Sequence, residues 1–306
     1  MKIVFFGTPE YSVPSLRELF NTHEVLCVIT QPDKPKGRGE KIEASPVKIF
    51  AETHNIPVLQ PERARNKTFI EQLRAFNADA FIVTAYGQIL PQAVLTMPKF
   101  GALNAHGSLL PKFRGASPIQ HAILNGESVT GVTVMQMGAG VDTGDMLLKK
   151  EIAIEPDDNA GTLHAKMAEL SAIALIEVLP LVERDSVFPV SQDGAEFTYA
   201  PLIKKEDALI DWSKPAEQIV NLVRAMNPWP CAYAAWNGAV LKVWEAKVSD
   251  IASENRKAGE VLSANKGGIT VACGNGAVTL TEVQASNSKR MSAAAFANGR
   301  KIESFI

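Results

Sequence analysis

Residues 2–30 read KIVFFGTPEYSVPSLRELFNTHEVLCVIT, and their punctuation decides the fold. Residues 2–6 form a continuous apolar run that halts at Gly7-Thr8-Pro9. A run this short, closed by turn residues, reads as a strand buried on both faces. Ser12 then stands near the start of a helical pattern that puts Leu16, Leu19 and Phe20 on one face. A second apolar run follows at residues 25–30. Strand, helix and strand in close succession is a βαβ opening, which predicts a mostly parallel sheet covered on both sides. The turn at Gly7 has no G-x-G-x-x-G, and no acidic residue ends the second strand, so dinucleotide binding is not expected.

Residues 31–41 (QPDKPKGRGEK) hold two prolines, two glycines and four basic residues, the makeup of a long exposed loop. Lys34, Lys36, Arg38 and Lys41 leave two readings open, a solvated loop or a basic arm for a polyanion. Ser45-Pro46 then opens a helix in cap-then-proline order, with Val47, Phe50 and Ala51 inward. A short strand at 56–59, a helix at 67–76 and a buried strand at 80–84 continue the α/β pattern. The last runs into Tyr86-Gly87-Gln88, at a carboxyl strand end, where open α/β sheets bind ligands.

Residues 101–145 (GALNAHGSLLPKFRGASPIQHAILNGESVTGVTVMQMGAGVDTGD) carry the candidate chemistry. Positions i and i+2 of a strand point the same way, so Asn104 and His106 project together from a strand end. The loop after them exposes Leu109 and Leu110 beside Pro111; Ser117 then caps a helix started by Pro118 and stopped by Asn125-Gly126. A strand at 131–137 leads to a turn bearing Asp142 and Asp145, and a strand at 146–152 makes the sheet mixed. A long helix spans 159–180. One His and one Asp are too few for a metal site, so no metal is expected. Ser108 lacks a G-x-S-x-G elbow, which argues against a hydrolytic triad. His23, His54, His121 and His164 sit on helices or their flanks and read as incidental. What remains is an amide and an imidazole that can donate to an oxyanion, with a carboxylate nearby: a set suited to acyl transfer onto a nucleophile carried by the substrate.

Periodicity fades around residues 185–208, which places a catalytic domain at 1–189, a linker at 190–208 and a second domain at 209–306. In the latter, Ser213 is expected to cap a helix, and Asn-Gly pairs at 237–238 and 275–276 signal hairpins. Short strands in such a length fit a small OB-like β-barrel. Residues 204–306 carry 13 Lys/Arg against 10 Asp/Glu within a chain of net charge −2, a polarity too mild to decide anything alone. Cys27, Cys231 and Cys273 have neither metal spacing nor an even count and read as buried free thiols of a cytoplasmic protein. No apolar run is long enough to span a membrane.

Several motifs together resemble the methionyl-tRNA formyltransferase family: Phe6-Gly7-Thr8-Pro9, Gln31-Pro-Asp-Lys-Pro-x-Gly-Arg-Gly39, Asn104-x-His106-x-Ser108-Leu-Leu-Pro111, Arg114-Gly115-Ala116-x-Pro118-Ile-Gln120, Val141-Asp-Thr-Gly-Asp145, Tyr199-Ala-Pro201, Ile210-Asp-Trp212 and Asn227-Pro-Trp-Pro230. The resemblance covers nearly the whole chain. It implies a Rossmann-like formyltransferase domain followed by a β-barrel that binds tRNA. It further implies 10-formyltetrahydrofolate as donor and initiator methionyl-tRNA as acceptor, with Asn104 and His106 on the oxyanion and Asp142 orienting His106 and helping to take the amine proton. Ser108, Leu109, Leu110 and Pro111 would hold the folate, Tyr86, Gly87 and Gln88 would border its pterin, and Lys34, Lys36, Arg38 and Lys41 would meet tRNA phosphates. A monomer is expected. The Asn-x-His-x-Ser-Leu-Leu-Pro element is shared with enzymes that formylate nucleotide-linked amino sugars, so the acceptor is chosen elsewhere, by the basic loop and the barrel. A non-catalytic RNA-binding protein is a remote alternative, disfavoured by the intact trio.

Overall fold

The structure is a computed structural model that describes residues 1–36, 41–192, 194, 196–253 and 255–306, with residues 36 and 41 as backbone only. The chain forms two compact units. The first comprises Met1–Gly115, Val129–Ala153 and His164–Ala200. Its strands β1 (Lys2–Gly7) and β2 (Glu24–Ile29) pair in parallel, as the βαβ opening predicts. Residues 31–41 are not simply a loop: β3 (Lys34–Lys36) pairs with β4 (Lys41–Glu43) as an antiparallel ribbon, and Arg38 lies outside the described residues. Strands β5 (Val58–Leu59), β6 (Ala80–Thr84) and β7 (Ala102–His106) complete the parallel part. A two-residue strand β8 (Arg114–Gly115) stands apart from the sheet. Strands β9 (Val129–Gln136) and β10 (Met146–Ala153) add antiparallel strands on one edge, giving the order β10-β9-β7-β6-β1-β2-β5. Strand β11 (Tyr199–Ala200) pairs in parallel with β8.

Ile3, Val4, Phe5 and Phe6 are wholly buried, the outcome expected for a central strand with both faces covered. Phe6 packs edge-on against Tyr86, their ring centres 5.4 Å apart. Ser45 and Asn66 accept backbone N–H bonds at the starts of helices Pro46–Thr53 and Lys67–Ala75. In helix Val13–Thr22, Leu16 and Leu19 are buried, but Phe20 is 37% exposed. It lies at the edge of the apolar stripe, T-shaped against Phe50 and His54 of the neighbouring helix.

Leu110, expected to be exposed, is fully buried with Met135 and Met146. The cause is local: its N–H donates to the Thr133 hydroxyl on β9, which draws the loop onto the antiparallel edge. Helix Ala160–Glu183 buries Met167, Ala174, Leu175 and Val178 in the first unit, and its Ser171 bonds the buried Tyr11 hydroxyl at 2.8 Å.

The second unit comprises Ala116–Ser128, Ile154–Leu163 and Pro201–Ile306. Helix Pro118–Leu124 packs on helix Ala216–Met226. Neither expected serine cap forms. The Ser117 hydroxyl accepts from the Ile203 N–H instead, and Ser213 is held in a turn by Asp211, so that Pro215 begins the second helix. Strands β12 (Tyr233–Trp236), β13 (Ala239–Ser249), β14 (Val261–Asn265), β15 (Gly268–Ala272) and β16 (Ala277–Ala285) are antiparallel in the order β12-β13-β16-β15-β14, with β17 (Met291–Ser292) beside β16. Asn237 and Gly238 both have positive φ (49° and 74°), the two-residue turn that suits strand twist.

Two edges remain in this sheet, and the C-terminal residues bond to both. Glu303 O and the Phe305 N–H bond the backbone of Val261 and Gly259, while Ile306 exchanges both backbone bonds with Ala235 of β12. The sheet is thereby closed into a barrel around Trp212, Val243, Val271, Leu280, Phe296 and Phe305. The three cysteines are buried free thiols. Among the described residues no helix is long and apolar enough to cross a membrane, and no acidic, His or Cys group could hold a metal ion.

Candidate active site

The chemistry-bearing residues lie in the first unit, at the carboxyl end of its parallel strands. Asn104 and His106 occupy alternate positions of β7 while Leu103 and Ala105 are buried on its other face. The Asn104 amide is partly accessible and has no hydrogen-bond partner among the described residues. Its two N–H donors are therefore available.

His106 is only 6% exposed. Its Nε2 lies 3.0 Å from the Phe113 carbonyl oxygen. A carbonyl only accepts, so Nε2 carries a proton in this arrangement and Nδ1 is the nitrogen left for chemistry. Nδ1 faces Asp142 Oδ2 at 3.6 Å, beyond hydrogen-bond length. The ring is thus oriented first by a backbone carbonyl and only then by the carboxylate.

Asp142 has its own holder. Its Oδ2 accepts the Gly115 N–H at 2.9 Å. Gly115 has φ +120°, and a Cβ there would stand 2.6 Å from the Ala200 carbonyl, so the β8–β11 ribbon that presents this N–H requires glycine. Asp142 is itself in the left-handed region at φ 51°. The Gln192 amide donates to the carbonyls of Asp142 (2.9 Å) and Gly144 (2.7 Å), and its oxygen accepts from Arg114 Nε at 2.9 Å. Asp145 accepts from the Ser191 hydroxyl at 2.9 Å.

The Ser108-Leu-Leu-Pro111 loop is drawn inward. The Ser108 hydroxyl donates to Lys112 O at 2.6 Å, and its carbonyl accepts from Thr133 at 2.7 Å. Ser108, Leu110 and Pro111 are buried, and Leu109 is half-buried. At the end of β6, the Tyr86 carbonyl accepts from Thr8 Oγ1 (3.0 Å) and Gln31 Nε2 (3.2 Å), which ties the ends of β1, β2 and β6 together. The Tyr86 phenol is buried without a hydrogen-bond partner among the described residues, and burial pushes its pKa up to about 12. Gly87 has φ +86°, and a Cβ there would touch Gln31 Nε2 at 3.6 Å. Gln88 is turned away from that edge and locks onto the backbone of Pro61, Glu62 and Ala64.

Below the basic ribbon, Asp33 accepts from Lys48 Nζ and Gln60 Nε2, each at 2.6 Å, and the Gln60 amide also donates to Gln31 O at 2.9 Å. Lys34 is exposed. Sequence patterns had pointed to none of Phe113, Gly115, Gln192, Thr8 or Asp33 as supports. Backbone carbonyls and N–H groups carry no sequence signal, and Gln192 sits where periodicity fails.

Residues 1–179 match the formyl transferase family, and residues 202–301 match the formyl transferase C-terminal domain. A methionyl-tRNA formyltransferase of Citrifermentans bemidjiense is 48% identical over 304 residues, covering 99% of this chain and 95% of that protein. The chain belongs to the methionyl-tRNA formyltransferase family.

This family is one of formyl-transferring enzymes, and its fold is shared more widely. A sugar 3N-formyl transferase, WlaRD, solved in the presence of dTDP and 5-N-formyl-THF, superimposes with a TM-score of 0.68 at 20% identity, covering 94% of this chain and 99% of that one. HypX from Aquifex aeolicus, solved with tetrahydrofolic acid, gives 0.65 at 19% identity, covering 100% of this chain and 50% of that one. At such identities the likeness is one of fold. The acceptor distinction follows the methionyl-tRNA formyltransferase relatives, which are more than twice as similar in sequence.

Proposed function

We propose that this enzyme moves the formyl group of 10-formyltetrahydrofolate onto the α-amino group of methionine carried by initiator tRNA, the step that prepares this tRNA for translation initiation. The observation that carries the reading is the Asn104, His106 and Asp142 set around β7, in a chain 48% identical over its length to a methionyl-tRNA formyltransferase. The site suits the donor: the free Asn104 amide and the buried imidazole match a carbonyl oxygen that gains charge. The folate supplies an activated one-carbon unit on a nitrogen that leaves as an amine.

Asn104 donates to the formyl oxygen as the amine attacks. His106, its Nε2–H held by Phe113, donates to the same oxygen from Nδ1 in its doubly protonated form. Asp142 fixes that face of the ring and takes part in removing the amine proton. The backbone of Ser108, Leu109, Leu110 and Pro111 lines the folate side, since the Ser108 hydroxyl is already used within the loop. Tyr86, Gly87 and Gln88 border the pterin through their backbone groups, since the Gln88 amide is engaged by residues 61–64. Lys34, Lys36 and Lys41 carry the phosphate contacts of the ribbon, joined by Arg38 from outside the described residues. Residues 1–189 do the chemistry and 209–306 hold the tRNA. The protein works as a cytoplasmic monomer without a metal.

Incubation with 10-formyltetrahydrofolate and charged initiator or elongator tRNA tests the reading. Formylmethionyl-tRNA should form, with the initiator strongly preferred. No product with tRNA, together with formylation of a nucleotide-linked amino sugar, would overturn it.

A further inference from the structure

Asp142 sits in the left-handed region at φ 51°, which aspartate tolerates better than most residues, and its turn is held from outside by side-chain and backbone hydrogen bonds. The hydrogen bonds around it form a closed circuit. Arg114 Nε donates to Gln192 Oε1; Gln192 Nε2 donates to the carbonyls on either side of Thr143; and the N–H of Gly115, next to Arg114, donates to the Asp142 carboxylate. The Arg114 guanidinium is itself braced over the Phe197 ring, 5.1 Å from its centre. The Gly115 N–H reaches the carboxylate itself, while Gln192, held by Arg114, fixes the backbone of the turn that bears it.

The chemistry at position 192 is restrictive. Two carbonyl oxygens there need a donor, and an arginine needs an acceptor, from the same side-chain end. A primary amide of glutamine length supplies both. A carboxylate of the same shape would still accept from Arg114 but would set a negative charge against two carbonyls and bring a second anion towards Asp142.

We infer that Gln192 is a positioning residue for formyl transfer: together with Arg114 it clamps the Asp142 turn so that the carboxylate stays opposite His106 Nδ1. The inference rests on the reading of Asp142 given under the proposed function. It also gives residues just past position 189 a task in catalysis, although the sequence marks them only as a connector.

A purely structural strut would change melting temperature or substrate KM, whereas a positioning residue changes turnover. The test compares the wild type with Gln192→Glu, Gln192→Met, Asp142→Asn and the Gln192→Met/Asp142→Asn double variant, each assayed well below its melting temperature. Misplacing a reacting group by about 1 Å costs on the order of 100-fold. Both Gln192 variants should therefore lose about 10–100-fold in kcat while KM for tRNA and for the formyl donor stays within about twofold. In the Asp142→Asn background, Gln192→Met should add less than about twofold, because its route to the reaction is already cut. A wild-type kcat in Gln192→Met, a loss carried by KM alone, or a full multiplicative loss in the double variant would each overturn the inference. An inactive wild type would overturn the activity itself; an active wild type with insensitive variants overturns only the role of Gln192.

Discussion

His106 and Asp142 face one another across 3.6 Å, and each also has its own backbone holder: Phe113 O for the ring and the Gly115 N–H for the carboxylate. Asp142→Asn can keep the Gly115 bond through its amide oxygen, so the fold should survive while the charge beside Nδ1 is lost. Turnover should fall on the order of 10²–10⁴-fold, with little change in melting temperature. His106→Ala should give a loss of similar size. Steady-state kinetics on charged initiator tRNA decide the point, and near-normal turnover in either variant would remove the pair from the mechanism.

Asn104 has an unengaged amide, so its removal strands no partner. Asn104→Ala should leave stability within about 0.5 kcal/mol, as for substitutions without buried partners. It should lower kcat about 10²–10³-fold, the usual cost of one oxyanion donor. A change confined to KM would show that the amide binds substrate without favouring the transition state.

Lys34 and Asp33 adjoin in the chain but should behave differently. Lys34→Ala should raise the tRNA KM and flatten its dependence on salt by up to about one phosphate contact. Asp33→Ala frees the base of the ribbon from Lys48 and Gln60, so it should raise the tRNA KM without changing that slope. The folate KM should not move in either. Lys48, then Gln60, holds the Asp33 carboxyl below its ordinary range. A depressed carboxylate contributes above its unfolded value and is lost as pH falls through the lower, folded one. The anchor should therefore remain intact at neutral pH and fail only below about pH 4. An unchanged tRNA KM in Asp33→Ala would dismiss the anchor.

The thiols of Cys27, Cys231 and Cys273 are pushed up by burial, to about 12, 11 and 11. None should react with iodoacetamide at pH 8 until the protein unfolds. Raised values make the neutral thiols a stabilising feature below the unfolded value of about 8.5, and that contribution is lost as pH climbs through the folded values. Mass spectrometry of native and unfolded samples counts the labelled residues. Rapid native labelling of any of the three would contradict their burial.

Phe305 is 3% exposed and packs against Trp212, with ring centres 5.8 Å apart, in the segment that closes the barrel. Phe305→Ala should destabilise the second unit by about 3–5 kcal/mol. Denaturant melts followed by tryptophan fluorescence measure this, and a loss below about 1 kcal/mol would mean that the barrel closes without it.

The parallel core was legible because β1 and β6 are short apolar runs, the first ended by Gly7-Thr8-Pro9, and the hairpin at Asn237-Gly238 because that turn needs positive φ. Asn104 and His106 were legible because alternation alone puts them on one face. The inward position of Leu110 was not, since it depends on Thr133, 23 positions away. Nor were the two serine caps: Ser117 and Ser213 have good capping side chains, but distant Ile203 claims the first hydroxyl and a local turn with Asp211 claims the second. The barrel closure through Glu303–Ile306 was hidden for a related reason, because edge pairing is made by backbone groups that any residue supplies.

The second unit takes Ala116–Ser128 and Ile154–Leu163 from within stretches that otherwise build the first. On the ribosome, then, order of manufacture and order of assembly diverge. Ile119, Ala122 and Ile123 emerge long before the helix Ala216–Met226 that will cover them exists. The nascent chain has to carry that apolar face uncovered through almost a hundred further additions, an interval in which a chaperone has something to hold.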